Sequence, residues 1–292
     1  MAIVYDKLMA LKIPDSEQTY TAGDAIFYAL SLGLGQNPVD ENELRFVYEK
    51  DLKVLPTFPC VVAHPGFWAR DLDTGIDWVK GVHGEHRVEL HKPLPPKGAL
   101  IGYSRIVEIV DKGPGKGALI FSERKLHDRA TGDLYATINQ TSFVRGDGGF
   151  GGPQRPTPAP HALPDRAPDV ACNLPTRPEM ALLYRWNADM NPLHADPVIA
   201  KAAGYPRPIL HGLATFGVAG HAILKTMCGY DPARFKSIAG RFSSPVYPGE
   251  TVRTEMWRDG AIVSFRARLV ERDVIVLNNG RAEIQAAVQA AV

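Results

Sequence analysis

The sequence predicts an α+β protein of two similar halves, each a helix followed by a mostly antiparallel sheet. Length is the first ground: 292 residues, 45% of them hydrophobic, suit two domains of roughly 145 residues. Element order is the second. Ala22 to Leu34 has helix-like apolar spacing, and GALIGYSRIVEIV, ALIFSERKL and LYATINQTSFV follow as strands, the last two parted by an Arg129–Asp133 turn. In the second half a helix starting near His211–Gly212 precedes TVRTEMW, AIVSFRARL, VIVLN and RAEIQAAV. Asp259–Gly260, Glu271–Asp273 and Asn278–Gly280 separate those four as turns. The third ground is a weak repeat: Pro93, Leu94, Pro96 and Leu100 match Pro245, Val246, Pro248 and Val252 at a constant offset of 152.

Composition narrows the function. A net charge of +1 with 22% charged residues excludes both a disordered chain and a polybasic nucleic-acid binder. No apolar run reaches the ~18 residues of a membrane span. Met1–Asp6 lacks a signal-peptide layout, and Ala290–Val292 is not a peroxisomal address. Cys60, Cys172 and Cys228 stand far apart without a CxxC pair, which fits a reducing cytoplasm.

Proline marks the division. Of 24 prolines, eight fall between Pro153 and Pro178, directly after the glycine run GDGGFGG at 146–152. This composition makes a regular element improbable through about Glu179 and reads as a linker over 148–178. Residues 1–147 and 179–292 are then the two domains. The glycine run has no GxxxxGK[ST] pattern, so a linker or strand exit outweighs a phosphate cradle.

The chemistry concentrates between Tyr184 and Leu224. Asp196–Pro197 starts a short helix that stops at Gly204, and the Gly217- and Gly220-bearing helix after His211 suits close burial. Asp189 and His194 would lie roughly 140° apart on a continuous helix. Asn191–Pro192 breaks that helix, and a turn there can aim carboxylate and imidazole into one cavity as general acid and base on a shared water. The ordinary alternative is a turn capped by Asn191 with His194 as a satisfied polar residue. Gly212 at a helix start offers backbone N–H groups to an oxyanion, or simply permits close packing.

These residues, Asp189-Met190-Asn191-Pro192-Leu193-His194 followed by Ala203–Leu213, resemble the signature of the MaoC-like (R)-specific enoyl-CoA hydratases, the hydratase 2 group. Arg241–Phe242 and Pro245–Thr251 resemble the family's next block. His83-Gly84-Glu85, Lys92–Pro95, Asp111–Gly113 and Gly148–Gly152 resemble the first half of its two-part members. The resemblance implies a double hotdog, two long helices each wrapped by a curved antiparallel sheet, with chemistry in the second half and acyl-pocket shaping in the first. It implies Asp189 and His194 as the catalytic pair, Asn191 as their orienter and Gly212 N–H as donor to the thioester oxygen. His83, Gly84, Lys112, Met190, Pro192, Leu193 and Phe242 would bind an acyl-CoA thioester, with Lys112 near the CoA phosphates or pantetheine, although its glycine-rich DKGPGKG setting by itself reads first as a solvated hairpin turn. It also implies a homodimer.

Departures from the family pattern touch substrate choice. Trp186-Asn187-Ala188 replaces a usual Leu-Ser-Gly, which would thicken the wall near the reacting carbon, and Phe67 and Trp68 would narrow the pocket. His83, Glu85, His86 and His91, on what reads as a strand edge, lack a ligand spacing such as HExxH. No metal or cofactor is expected, coenzyme A being part of the substrate. The leading reading is reversible syn hydration of trans-2-enoyl-CoA to (3R)-3-hydroxyacyl-CoA. Dehydration of a branched or dicarboxylic hydroxyacyl-CoA, and a non-catalytic acyl-CoA-binding subunit, stay open. A thioesterase is weaker, there being no GxSxG elbow.

Overall fold

The structure is a computed structural model that describes residues 2–285. Five strands come from the first half: β1 (Ser16–Tyr20), β2 (Gly81–Leu90), β3 (Gly98–Asp111), β4 (Ala118–Asp128) and β5 (Leu134–Val144). Five come from the second: β6 (Val170–Pro175), β7 (Phe235–Phe242), β8 (Thr251–Asp259), β9 (Ile262–Leu269) and β10 (Ile275–Ile284). The helices are α1 (Tyr5–Met9), α2 (Ala22–Ser31), α3 (Glu41–Val47), α4 (Trp68–Asp71), α5 (Met180–Tyr184), α6 (Pro197–Ala202) and α7 (Gly212–Cys228).

All strands join one antiparallel sheet in the order β1-β3-β4-β5-β2-β7-β10-β9-β8-β6. Outward from the β2–β7 seam, each half repeats the same order of its own strands. The matched proline-rich blocks fall on equivalent connections, β2 to β3 and β7 to β8. The internal repeat is therefore topological as well as sequential.

Helix α7 is the centre of the core. Its residues from Ala214 to Leu224 are all buried, because alanine, glycine and apolar side chains cover most of its circumference, with Thr215 and His221 the buried polar exceptions. Gly217 is required by close approach: a Cβ there would lie 2.6 Å from Leu32. Gly229, at φ 60°, ends the helix in the left-handed conformation. Helix α2 is closed at its start by a reciprocal Thr21–Asp24 capping box. The expectation of two long helices needs correction: α2 has 10 residues against 17 in α7. Gly33 and Gly35, at φ 86° and 78°, turn the chain away just after it.

Three further expectations change. Asn278–Gly280 is no turn but a bulge inside the continuous strand β10, with Asn279 at φ 54°. The residues that tolerate positive φ serve bulges as well as hairpins. Residues 286–288 of the RAEIQAAV segment lie outside the described residues, as do Ala290–Val292. Strand β2, read as an edge, pairs on both sides with β5 and β7. The 148–178 segment contains a strand, β6, pairing with β8 from Val170 to Pro175. As an edge strand it tolerates the terminal proline. From His161 to Asp169 the segment crosses the outer face of the second half's sheet, where Trp257 Nε1 donates to the Arg166 carbonyl at 2.7 Å.

The glycine run has a defined job. Gly149, Gly151 and Gly152 N–H groups, with Gly113 N–H, donate to the carboxylate of buried Asp111 at 2.7–3.2 Å. The anion in this backbone nest is the protein's own side chain.

Candidate active site at the junction of the halves

The chain leaves α5 at Tyr184 and turns through Ala188, a non-glycine residue at φ 76°. Asp189 N–H returns to the Arg185 carbonyl at 3.2 Å. Asp189 Oδ1 accepts from Asn191 N–H at 3.1 Å, and Asn191 Oδ1 accepts from Leu193 N–H at 3.0 Å. Two successive side-chain caps thus shape a 3-10 turn at Pro192–His194. The turn anticipated from Asn191–Pro192 is present, and the acidic oxygen, His194 and His211 place one polar atom each within 4.8 Å of one another. Asn187 Nδ2 donates to Ser31 Oγ at 2.9 Å, so helix α2 anchors the same loop.

His194 is buried, and its Nδ1–H donates to the Ile209 carbonyl at 2.8 Å. That bond leaves Nε2 bare in the neutral ring. Desolvation lowers the His194 pKa, opposed in part by the nearby Asp189 charge. His211 stacks on it with ring centroids 3.7 Å apart and donates through Nε2 to the Asp189 carbonyl at 3.2 Å. Burial drives the His211 pKa down to about 2, so this ring stays neutral.

Asp189, Asn191, Leu193, His194, Gly212, Phe242 and His83 all line one cavity of about 510 Å³. Gly212 opens α7, whose N-cap residue, His211, makes no side-chain cap bond. A Cβ on Gly212 would lie 3.2 Å from the Phe242 ring, so glycine keeps ring and helix start together. His83 packs on Phe242 at 4.7 Å between centroids.

Four expected site residues do not line the cavity. Gly84 is the extra residue of a bulge between His83 and Glu85. That bulge switches strand parity, so His83 and His86 both face inward and share a 3.2 Å hydrogen bond. Lys112 is exposed on the turn beside Asp111; Arg145 is the lysine-or-arginine cation on the cavity wall among the described residues. Met190 is exposed, its carbonyl held by Arg185 at 3.1 Å. Pro192 starts the 3-10 turn with its ring outward. Trp186, expected to thicken the wall, is 69% exposed and outside the cavity, whereas Phe67 and Trp68 do line it.

Sequence reasoning passed over His211 as a mere helix start. Its signal was present: a histidine directly before the helix-opening glycine, inside an apolar segment.

Residues 160–280 match the MaoC-like domain, and residues 18–146 match the N-terminal domain of MFE-2 hydratase 2. A peroxisomal enoyl-CoA hydratase 2 of Arabidopsis thaliana is 40% identical over 93% of this chain and 93% of its own. This chain belongs to the MaoC-like hydratase 2 family. It is an enzyme of the carbon–oxygen lyase class, and its fold is a double hotdog. A MaoC-like dehydratase structure from Phytophthora capsici aligns with a TM-score of 0.85 and 36% identity, covering 97% of this chain and 99% of that one. A double-hotdog protein of Mycobacterium tuberculosis, 15% identical over 97% of this chain and 98% of its own, has a TM-score of 0.59 and shares the fold. No described helix is long and apolar enough to cross a membrane.

Acid stability follows from the histidines. Burial lowers His64 and His221 to about 3, His83 to about 4 and His211 to about 2, with His86 and His194 also below the ordinary 6.5. Below pH 6.5 the unfolded chain takes up protons that these folded imidazoles refuse. Stability is therefore complete above 6.5 and falls as pH drops through it toward the folded values, by about 1.4 kcal/mol per imidazole per pH unit. Urea unfolding between about pH 7 and pH 5, above the main carboxylate range, will show a steep loss of midpoint. A flat midpoint would contradict neutral buried imidazoles.

Proposed function

We propose that this enzyme hydrates trans-2-enoyl-CoA reversibly and syn to (3R)-3-hydroxyacyl-CoA, with Asp189 and His194 acting on one water. The observation that carries the reading is that a carboxylate oxygen of Asp189 and a ring nitrogen of His194 lie within 4.8 Å of each other on one cavity wall with Gly212, while the Nδ1 bond to Ile209 leaves Nε2 of His194 uncommitted. The name of the Arabidopsis relative and the hydratase 2 signature support it.

The water sits between Asp189 and His194. One removes its proton as oxygen attacks Cβ, and that same proton is relayed through the pair to Cα, so that the whole water is added and both groups return to their starting state. Both transfers come from one face, which makes the addition syn. The pair titrates together, so neither is assigned base alone. Enolate charge develops on the thioester oxygen, where the Gly212 N–H and the α7 dipole stabilise it. Neutral His211 holds the Asp189 backbone and stacks on His194, limiting rotation of both. The first half shapes the acyl pocket through His83, Phe67 and Trp68, and the second carries the chemistry.

Crotonyl-CoA and longer enoyl-CoAs will lose their conjugated-enone absorbance with wild type. Asp189→Asn and His194→Ala will each lower kcat by about 10²–10⁴. Undiminished rates in both would overturn the mechanism. Tight acyl-CoA binding without turnover would instead favour a binding subunit.

Asp189, His194 and His211 also form a set able to hold a divalent ion. The proposed chemistry uses water and needs none, so exhaustive chelation will leave turnover unchanged. Loss on chelation with recovery on adding zinc or manganese would make the site a metal centre.

We take the working unit as a homodimer in a compartment rich in CoA thioesters, the cytoplasm being compatible with three buried free cysteines. Light scattering will give twice the chain mass; a monomer would refute the dimer.

A further inference from the structure

The inner face of the first half's sheet is partly polar. Beneath the loop from Pro59 to Trp68 it encloses a second cavity of about 40 Å³, bordered by Arg124, His86, Ser104 and Gln140. Trp68 and Gln140 line this void and the active cavity alike, so they form the partition between the two. The volume is enough for one small polar group or a few waters.

Its chemistry is unbalanced toward positive charge. Arg124 is 6% exposed. Its guanidinium donates to the carbonyls of Pro59, Cys60 and Ala63 at 2.8–2.9 Å, and to that of Val62. It has no carboxylate partner among the described residues. Glu123, also at the void, is engaged by Arg105 at 2.8 Å. The neighbouring titratable groups are His64 and His86, both neutral near pH 7. Two buried polar atoms at the void, His86 Nε2 and Ser104 Oγ, have no hydrogen-bond partner. A buried cation without a counter-ion is costly, and so is each unmatched buried polar atom. One carboxylate in this space would supply the counter-charge to Arg124 and the acceptor that the Ser104 hydroxyl lacks.

We infer that the void is a subsite for the terminal carboxylate of the acyl chain, so that the enzyme prefers dicarboxylic enoyl-CoA esters over plain chains of equal length. This rests on the hydration reading and names the substrate class of the same site. The acyl chain would run from the catalytic pair past His83 to the Trp68–Gln140 partition. Its far carboxylate would accept from Ser104 Oγ–H within the field of Arg124.

The test compares kcat/KM for plain and ω-carboxylated trans-2-enoyl-CoAs over a ladder of chain lengths. At the length that reaches the void, wild type will favour the ω-carboxylated ester by roughly tenfold or more. Ser104→Val, which fills the void and removes the hydroxyl, will bring that ratio near one while leaving short plain esters unaffected. If this variant does not fold, Ser104→Ala supplies the same comparison, with a smaller drop in the ratio. Turnover of plain esters with a wild-type ratio near one at every length overturns the subsite alone and leaves the void to waters. A wild-type preference that both Ser104 variants keep in full also overturns it. No turnover of any ester overturns the subsite together with the hydration reading.

Discussion

Helix α7 can be buried on every side only because the sheet continues across the β2–β7 seam. A helix with no polar face needs a cover wider than one five-strand sheet and its own loops provide. Leu32 seats against Gly217, and a Cβ on Gly220 would lie 2.7 Å from Thr57, so the first half supplies part of that cover directly. Glu43 adds a polar tie: its carboxylate accepts from Gly35 N–H at 2.9 Å and from Tyr230 Oη–H at 3.2 Å. With the helix held this firmly, its N-terminal N–H groups become a fixed donor beside the cavity.

The acidic and basic groups then arrive by local means. Asp189 is placed by a left-handed residue and a backbone cap, and His194 by one carbonyl bond that also selects its tautomer. Neither depends on a long-range ion pair. Burial pushes the pKa of both His194 and His211 down, so the site presents the carboxyl group of Asp189 with an unprotonated imidazole nitrogen near it. The bulge at Gly84 does the equivalent work in the first half, rotating strand parity so that His83 reaches Phe242 and His86 faces the polar void.

Much of this was legible in the sequence. Alternating strands, the Asp259–Gly260 hairpin and the α7 start are set by local pattern, so Gly98–Asp111, Leu134–Val144 and Gly212 fall where patterning places them. The Asp189–His194 pair was legible because proline after Asn191 forces a turn. Other features depend on partners distant in sequence. Asn278–Gly280 becomes a bulge because both β7 and β9 pair with β10 around it. The family resemblance offered Lys112 as a CoA contact, but Asp111 folds the glycine run onto itself and leaves the lysine on an exposed turn, as its local sequence reads. Trp186 follows the outward side of its turn, a direction that spacing does not reveal. His211 gains its importance only from stacking on a residue seventeen positions earlier.

The mirrored strand order has an evolutionary consequence. Between β1 and β2, and again between β6 and β7, the chain crosses the same kind of gap, yet the proposed reacting groups Asp189, His194 and Gly212 all lie in the second crossing. On the proposed mechanism the first carries no reacting group. The first half's sheet face, with its Arg124 void, can then vary in size and polarity without disturbing the turn that carries Asp189 and His194. A chain built this way can acquire new substrates by altering one crossing while inheriting its chemistry unchanged from the other.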